Sequence, residues 1–206
     1  MKADDILSAS NLQTVNPETL FDAWLESAKA CPNIREPTAM ILATVSADLQ
    51  PSARTVLLKG HDKNGFLFFT NSDSRKGREM AANPKVALTF YWDALFRQVH
   101  IRGPVSQADH SVAMTYWKTR HRESQLSQWL SHQSEPLAPG QTLDKLLSEA
   151  RQQWEGQDVP CPEHWDGFYV QPREFEFWLG DQHRLHRRFV FLKQPDRSWS
   201  AQQCFP

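Results

Sequence analysis

The sequence predicts an α+β, barrel-like domain on a mostly antiparallel sheet. Five strand-like runs follow one another closely between residues 40 and 105. A helical stretch from about 109 to 154 interrupts them, and three or four more strands follow. No repeat, low-complexity tract or linker divides the 206 residues, so one domain is expected over 16–206, with a mobile arm over 1–15.

The elements follow in order. Asn16-Pro17-Glu18 combines a capping Asn, a Pro at the first helical position and an early acid; Leu20, Phe21, Trp24, Leu25 and Ala28 then recur at helical spacing until Cys31-Pro32. Residues 40–45, 52–59, 66–70, 86–91 and 97–105 are the first five strands, with turns at 48–51 and 61–65. Residues 74–82 form a short helix stopped by Asn83-Pro84. Further helices are expected near 109–119, 124–131 and 142–154, the last two separated by Pro136 and Pro139. Strands resume at 167–170, 174–178, 185–192 and 199–203.

Composition removes several function classes. Lys and Arg total 23 against 24 Asp and Glu, so no global field draws the chain to nucleic acid or an anionic membrane. No apolar run approaches a membrane span, and the first residues lack the apolar segment of a secretory signal. Cys31, Cys161 and Cys204 are widely spaced and form no metal pattern, which predicts reduced thiols and a cytoplasmic setting. Eight Trp and twelve Phe are many for this length and suit a planar ligand or a subunit interface as well as a core.

Cationic clusters carry the chemical signal. Arg54-Thr55-Val56-Leu57-Leu58-Lys59 is an apolar strand with a charge at each end, and Ser74-Arg75-Lys76 opens a helix where backbone N–H groups also attract anions. Together they predict a phosphate clamp. Neither a P-loop nor a Rossmann glycine motif is present. Tyr116, Arg120 and Ser124, spaced by four on an expected helix, form a second grip for a phosphate or phenolate. Arg184, His186 and Arg188 would share one face of a strand, where three cationic or titratable groups repel each other unless an anion joins them. Gln98, Gln133 and Ser134 add neutral donors and acceptors. The remaining histidines, His100 and His110 among them, are expected at the surface, and no nucleophile–base pair or metal set is found.

These clusters, in this order, resemble the pyridoxamine/pyridoxine 5′-phosphate oxidase family. The resemblance runs from about Leu20 to the C-terminus and rests on RTVLLK, FFTNSDSRKGRE, NPKVALTFYW, RQVHIRG, WLSHQS, EFW and RLHRRF. It implies an FMN-binding split β-barrel with peripheral helices, working as a homodimer with FMN at the subunit interface. It further implies FMN contacts from Arg54, Thr55, Val56, Leu57, Leu58, Lys59, Phe69, Thr70, Arg75, Lys76, Gln98, Gln133, Ser134, Trp178 and Arg188. Substrate contacts would be Lys59, Tyr116, Arg120 and Ser124 at the phosphate, with Arg184 and His186 as catalytic residues near the ring. The implied reaction is oxidation at C4′ of the B6 vitamer phosphate, with O₂ reduced to H₂O₂. Phe69 stands where the family usually has Tyr, Arg187 where it has Asp, and the C-terminus keeps its Pro without the usual Arg-Leu before it. Two alternatives stay open: a paralogous FMN oxidase of the phenazine-biosynthesis type, and a non-catalytic flavin- or pyridoxal-phosphate-binding protein.

Overall fold

The computed structural model describes residues 12–206. The first eleven residues of the expected arm lie outside the described residues. Leu12–Thr14 is a 3-10 turn with Leu12 buried, and the Gln13 carboxamide donates to Ala201 O at 2.6 Å, so this part of the arm is attached to the last strand.

Helix α1 spans Pro17–Ala30. The Asn16 carboxamide oxygen accepts from the N–H groups of Glu18 and Thr19, and Leu20, Phe21, Trp24, Leu25 and Ala28 are buried. Strands β1 (Ala39–Val45), β2 (Pro51–Leu57), β3 (Gly60–Asp62) and β4 (Gly65–Asn71) follow; β3 occupies part of the expected turn. Helix α2 (Arg75–Ala82) precedes β5 (Lys85–Trp92) and the long β6 (Arg97–Gln107). Helices α3 (His110–Trp117), α4 (Arg122–Trp129) and α5 (Leu143–Gln153) lead to β7 (Trp165–Val170), β8 (Glu174–Leu179), β9 (Arg187–Lys193) and β10 (Trp199–Cys204).

All strand pairs are antiparallel, in the order β10-β9-β8-β6-β5-β1-β2, with β7, β4 and β3 branching from β6. The branch exists because β6 is long: Arg97–Arg102 pairs with β8, while Val105–Gln107 pairs with β7. Just past β2, the Lys59 N–H donates to Leu67 O on β4 at 2.8 Å, bringing the two arms of the sheet together. Among the described residues the result is a curled half-barrel with five α-helices around it. Its interior is aromatic: Phe21 makes edge contacts with Phe66 and Phe90, and Trp24 with Phe177. A separate cluster, Ala113, Trp117, Leu126, Ala150, Val159 and Trp165, joins the three middle helices to β7. Among the described residues, no helix is long and apolar enough to cross a membrane.

Candidate functional site

The N-terminus of α2 builds the first cluster. Ser74 caps the helix, its hydroxyl accepting from the Gly77 N–H, and Arg75 and Lys76 occupy the first turn. Gly77 permits this placement: a Cβ there would run into the Ser72 carbonyl. Lys76 Nζ, almost fully buried, donates to Gln133 Oε1 at 2.6 Å, Thr70 Oγ1 at 3.0 Å and Ser74 Oγ at 3.2 Å. Burial, then the nearby Arg54, lowers its ammonium to about 8, against an opposing pull from Glu79. The Arg75 N–H donates to Ser134 Oγ at 3.2 Å, so the loop carrying Gln133 and Ser134 closes on the helix start. Arg54, Arg75, Lys76, Gln133 and Ser134 therefore line one open cleft of about 590 Å³.

Glu79 organises this cleft, and the sequence reading missed it. Its carboxylate accepts from Ser52 Oγ (2.9 Å), Arg54 Nη2 (3.0 Å), Arg75 Nε (2.8 Å) and Thr44 Oγ1. Burial alone would raise this carboxyl, but hydrogen bonds from Thr44, Arg75, Ser52 and Arg54 outweigh it and bring it down to about 2. The four-residue spacing from Arg75 was the available signal, and it reads equally well as a solvated helix pair.

A second cluster lies on the other side of β4. Thr70 faces Lys76, whereas its neighbour Phe69 stacks on Tyr116 (centroids 4.5 Å) and Trp165 (5.0 Å). Lys59 Nζ lies 5.7 Å from the Tyr116 ring centre, and Lys59, Phe69 and Tyr116 line a cleft of about 390 Å³. Arg120 lies over Trp165 at 5.0 Å and donates from Nη2 to Ser124 O at 3.3 Å, while its buried Nε has no hydrogen-bond partner among the described residues. The expected helical stripe is corrected here. Helix α3 ends at Trp117, Arg120 sits in the turn before α4, and Ser124 is on the first turn of α4. Burial of Trp117, whose Nε1 donates to Val159 O at 2.9 Å, fixes that helix end inside the helical cluster.

The third cluster also departs from expectation. Arg184 and His186 precede β9, in a turn where the Asp181 carboxylate accepts from the His183 N–H and the Asp181 N–H donates to His186 Nδ1 at 3.0 Å. Arg184 is exposed with φ 63°, a left-handed conformation costing about 1 kcal/mol for a side-chain-bearing residue. Ser134 is left-handed too, at φ 79°. The three basic groups do not form a repelling row: His186 packs on Trp178 at 4.7 Å, and Arg188 is paired with Glu176 at 2.9 Å. Tyr91, Gln98, Trp178 and Arg188 are in register across β5, β6, β8 and β9 and so share a face.

Of the strand 54–58, Val56 and Leu58 pack on the core, while Thr55 is exposed on the opposite face with Leu57 beside it. Among the described residues β2 pairs only with β1, so none of them forms a ladder along its other edge. The histidines expected at the surface are partly structural. His100 is half-buried with both ring nitrogens engaged, and His110 Nδ1 lies 3.1 Å from the buried Asp166. Cys31, Cys161 and Cys204 are unpaired; burial, with Asp166 adding to it, raises Cys161 to about 11 and keeps it a neutral thiol.

Comparison with known proteins adds an independent line. A family model described as pyridoxamine 5′-phosphate oxidase matches residues 27–154, and one described as pyridoxine 5′-phosphate oxidase C-terminal dimerisation region matches residues 165–206. A pyridoxine/pyridoxamine 5′-phosphate oxidase of Sphingopyxis alaskensis is 45% identical over 192 residues, covering 93% of this chain and 88% of its own. The pyridoxine-5′-phosphate oxidase of Bos taurus is 44% identical over 184 residues, covering 89% and 70%. The crystal structure of PhzG from Burkholderia lata 383 in complex with tetrahydrophenazine-1-carboxylic acid matches with a TM-score of 0.87 at 30% identity, covering 100% of this chain and 96% of that one.

Proposed function

The chain belongs to the pyridoxamine 5′-phosphate oxidase family, and from that premise we propose that it oxidises pyridoxamine or pyridoxine 5′-phosphate to pyridoxal 5′-phosphate, with FMN as cofactor and O₂ as acceptor. One observation carries the reading: two separate anion-seeking clusters flank a single strand, with Thr70 serving one and Phe69 the other. Two phosphorylated molecules that must meet require such a pair.

The residues present fit FMN. Three cationic side chains, Arg54, Arg75 and Lys76, surround one buried carboxylate, and the Lys76 ammonium, lowered first by its burial and then by Arg54, is a charge that a phosphate dianion would stabilise. Arg54, Thr70, Arg75, Lys76, Gln133 and Ser134 would hold that phosphate. The edge of 54–59, with Gln98, Trp178 and Arg188, would hold the ring system. When bound, FMN supplies the redox chemistry, accepting the hydride equivalent from C4′ and returning electrons to O₂.

The chain's own groups bind and orient. Lys59, Tyr116, Arg120 and Ser124 hold the substrate phosphate, for which the unmatched Arg120 Nε is a ready donor. Because His186 Nδ1 accepts from the Asp181 N–H, the neutral ring carries its proton on Nε2 and donates it there to the substrate. Arg184, held out in its left-handed turn, positions the ring. No side chain acts as a nucleophile.

A homodimer completes the site. β9 is five strands along the sheet from β2, and His186 lines a different cleft from Arg54, Arg75 and Lys76, so the 184–188 segment adds nothing to the clamp cleft of its own protomer. A two-fold dimer brings the same two surfaces together twice, and the match of residues 165–206 to a dimerisation region supports it. We place the protein in the cytoplasm.

The test is aerobic turnover of the FMN-loaded protein with pyridoxamine 5′-phosphate, following peroxide and pyridoxal 5′-phosphate together. Equal yields support the assignment; neither product appearing would defeat it. Arg187, exposed beside His186 where the family usually has an acid, and the likeness to PhzG favour a second reading, a flavin oxidase of another, carboxylated substrate. Peroxide formation with such a substrate alone would select it.

A further inference from the structure

His100 lies one pleat along β6 from Gln98, on the same face of the sheet, and both of its ring nitrogens are engaged. Nδ1 is 2.8 Å from Thr89 Oγ1 on β5, and Nε2 is 2.9 Å from Gln98 Nε2. A carboxamide nitrogen only donates, so the imidazole Nε2 accepts and the ring proton sits on Nδ1, donated to Thr89. The Gln98 nitrogen is thereby committed to His100. Its Oε1 is left for the row it shares with Tyr91, Trp178 and Arg188. We propose that His100 is a positioning residue that fixes which end of the Gln98 carboxamide faces the flavin, an inference that rests on the FMN reading above.

A doubly protonated His100 carries N–H on both nitrogens and cannot accept from Gln98. The carboxamide must then turn over, giving Oε1 to His100 and presenting its NH₂ where an acceptor had been. The surroundings hold the ring neutral. His100 is faced by Glu174 and Glu176 of β8, Arg188 of β9, Arg102 of its own strand and the neutral Thr89. Glu176 is already committed to Arg188 at 2.9 Å. Burial first, then Arg102 and Arg188, outweigh the two carboxylates and lower the imidazole from its ordinary value of 6.5. The turnover of Gln98 therefore belongs to mildly acidic pH, and at neutral pH the oxygen end is held toward the ligand.

Two measurements test this. Nitrogen-15 NMR of histidine-labelled apo-protein reads the tautomer directly and needs no variant; His100 is expected to be neutral and protonated on Nδ1 at pH 7.5, and protonation on Nε2 would overturn the proposal. FMN affinity is then followed by flavin fluorescence quenching from pH 8 to pH 5 in wild type and in His100→Phe, which keeps a ring and removes both nitrogens. Across the His100 titration the wild type should lose about tenfold in affinity relative to the variant, the scale of one hydrogen bond. The comparison cancels the titration of the cofactor phosphate and of Lys76. Parallel profiles with tight binding overturn the role of His100 and leave the FMN reading standing; no binding of FMN at any pH overturns both.

Discussion

At the scale of single residues, the phosphate clamp is a problem of charge balance. Lys76 titrates near 8 in the free protein, well below an ordinary lysine, and a bound phosphate raises it again. Binding above that pH must recruit a proton, so FMN affinity should fall by up to tenfold per pH unit above about 8. Lys76→Met should bind weakly with a flat profile, as fluorescence titration would show. Glu79 works in the opposite sense. Its carboxyl is lowered to about 2 from 4.5, so its contribution to stability is complete above 4.5 and lost as the pH falls toward 2. Glu79→Gln should cost the apo-protein roughly 2 kcal/mol at pH 7, about 5 °C in Tm, and FMN should restore much of it because the phosphate neutralises the two guanidiniums. Thermal melts with and without FMN, repeated at pH 3 where the difference should shrink, check this. Arg184 has no such structural duty: Arg184→Ala should reduce turnover at least tenfold with little change in FMN affinity, and equal loss of both would refute the role assigned to it.

At the scale of elements, the start of α2 is the most sensitive point. The Ser72 carbonyl leaves no room for a Cβ at Gly77, so Gly77→Ala must move the helix that carries Arg75 and Lys76. FMN affinity should drop at least tenfold while far-UV circular dichroism stays close to wild type. The elements were also where sequence pattern succeeded and failed for identifiable reasons. Alternation and turn residues located β1, β5 and β6, and Asn16-Pro17 located α1, because each depends on local chemistry. The expected grip of Tyr116, Arg120 and Ser124 does not lie on one helical stripe, since α3 ends at Trp117 and α4 starts at Arg122. The break after Trp117 depends on where that indole is buried, which no local pattern records. Arg184 was likewise read into a strand, since its turn is set by Asp181 bonding forward to His183 and His186. Glu79 escaped notice, and His100 was expected at the surface, because the meaning of both comes from partners on other strands.

At the scale of the whole molecule, the proposed site draws on two separate clefts of one sheet, which a second copy would bring together. The outward face that carries Gln98, His100 and Trp178 continues through Thr89 to Ile41, which is 40% exposed. Ile41→Asp should shift the protein to monomer in sedimentation and release FMN in parallel, because the cofactor site would lose one of its halves. Charge clusters in the sequence were enough to suggest phosphorylated ligands, and the motif order to suggest the family. The separation of the half-sites became visible only with the strand order. The most direct test of the whole account is anaerobic: one equivalent of pyridoxamine 5′-phosphate is mixed with the FMN-loaded dimer and the flavin absorbance is followed. The flavin should bleach with one pyridoxal 5′-phosphate formed per flavin, and regain its colour on admitting air; a flavin that stays oxidised in the presence of bound substrate would contradict it.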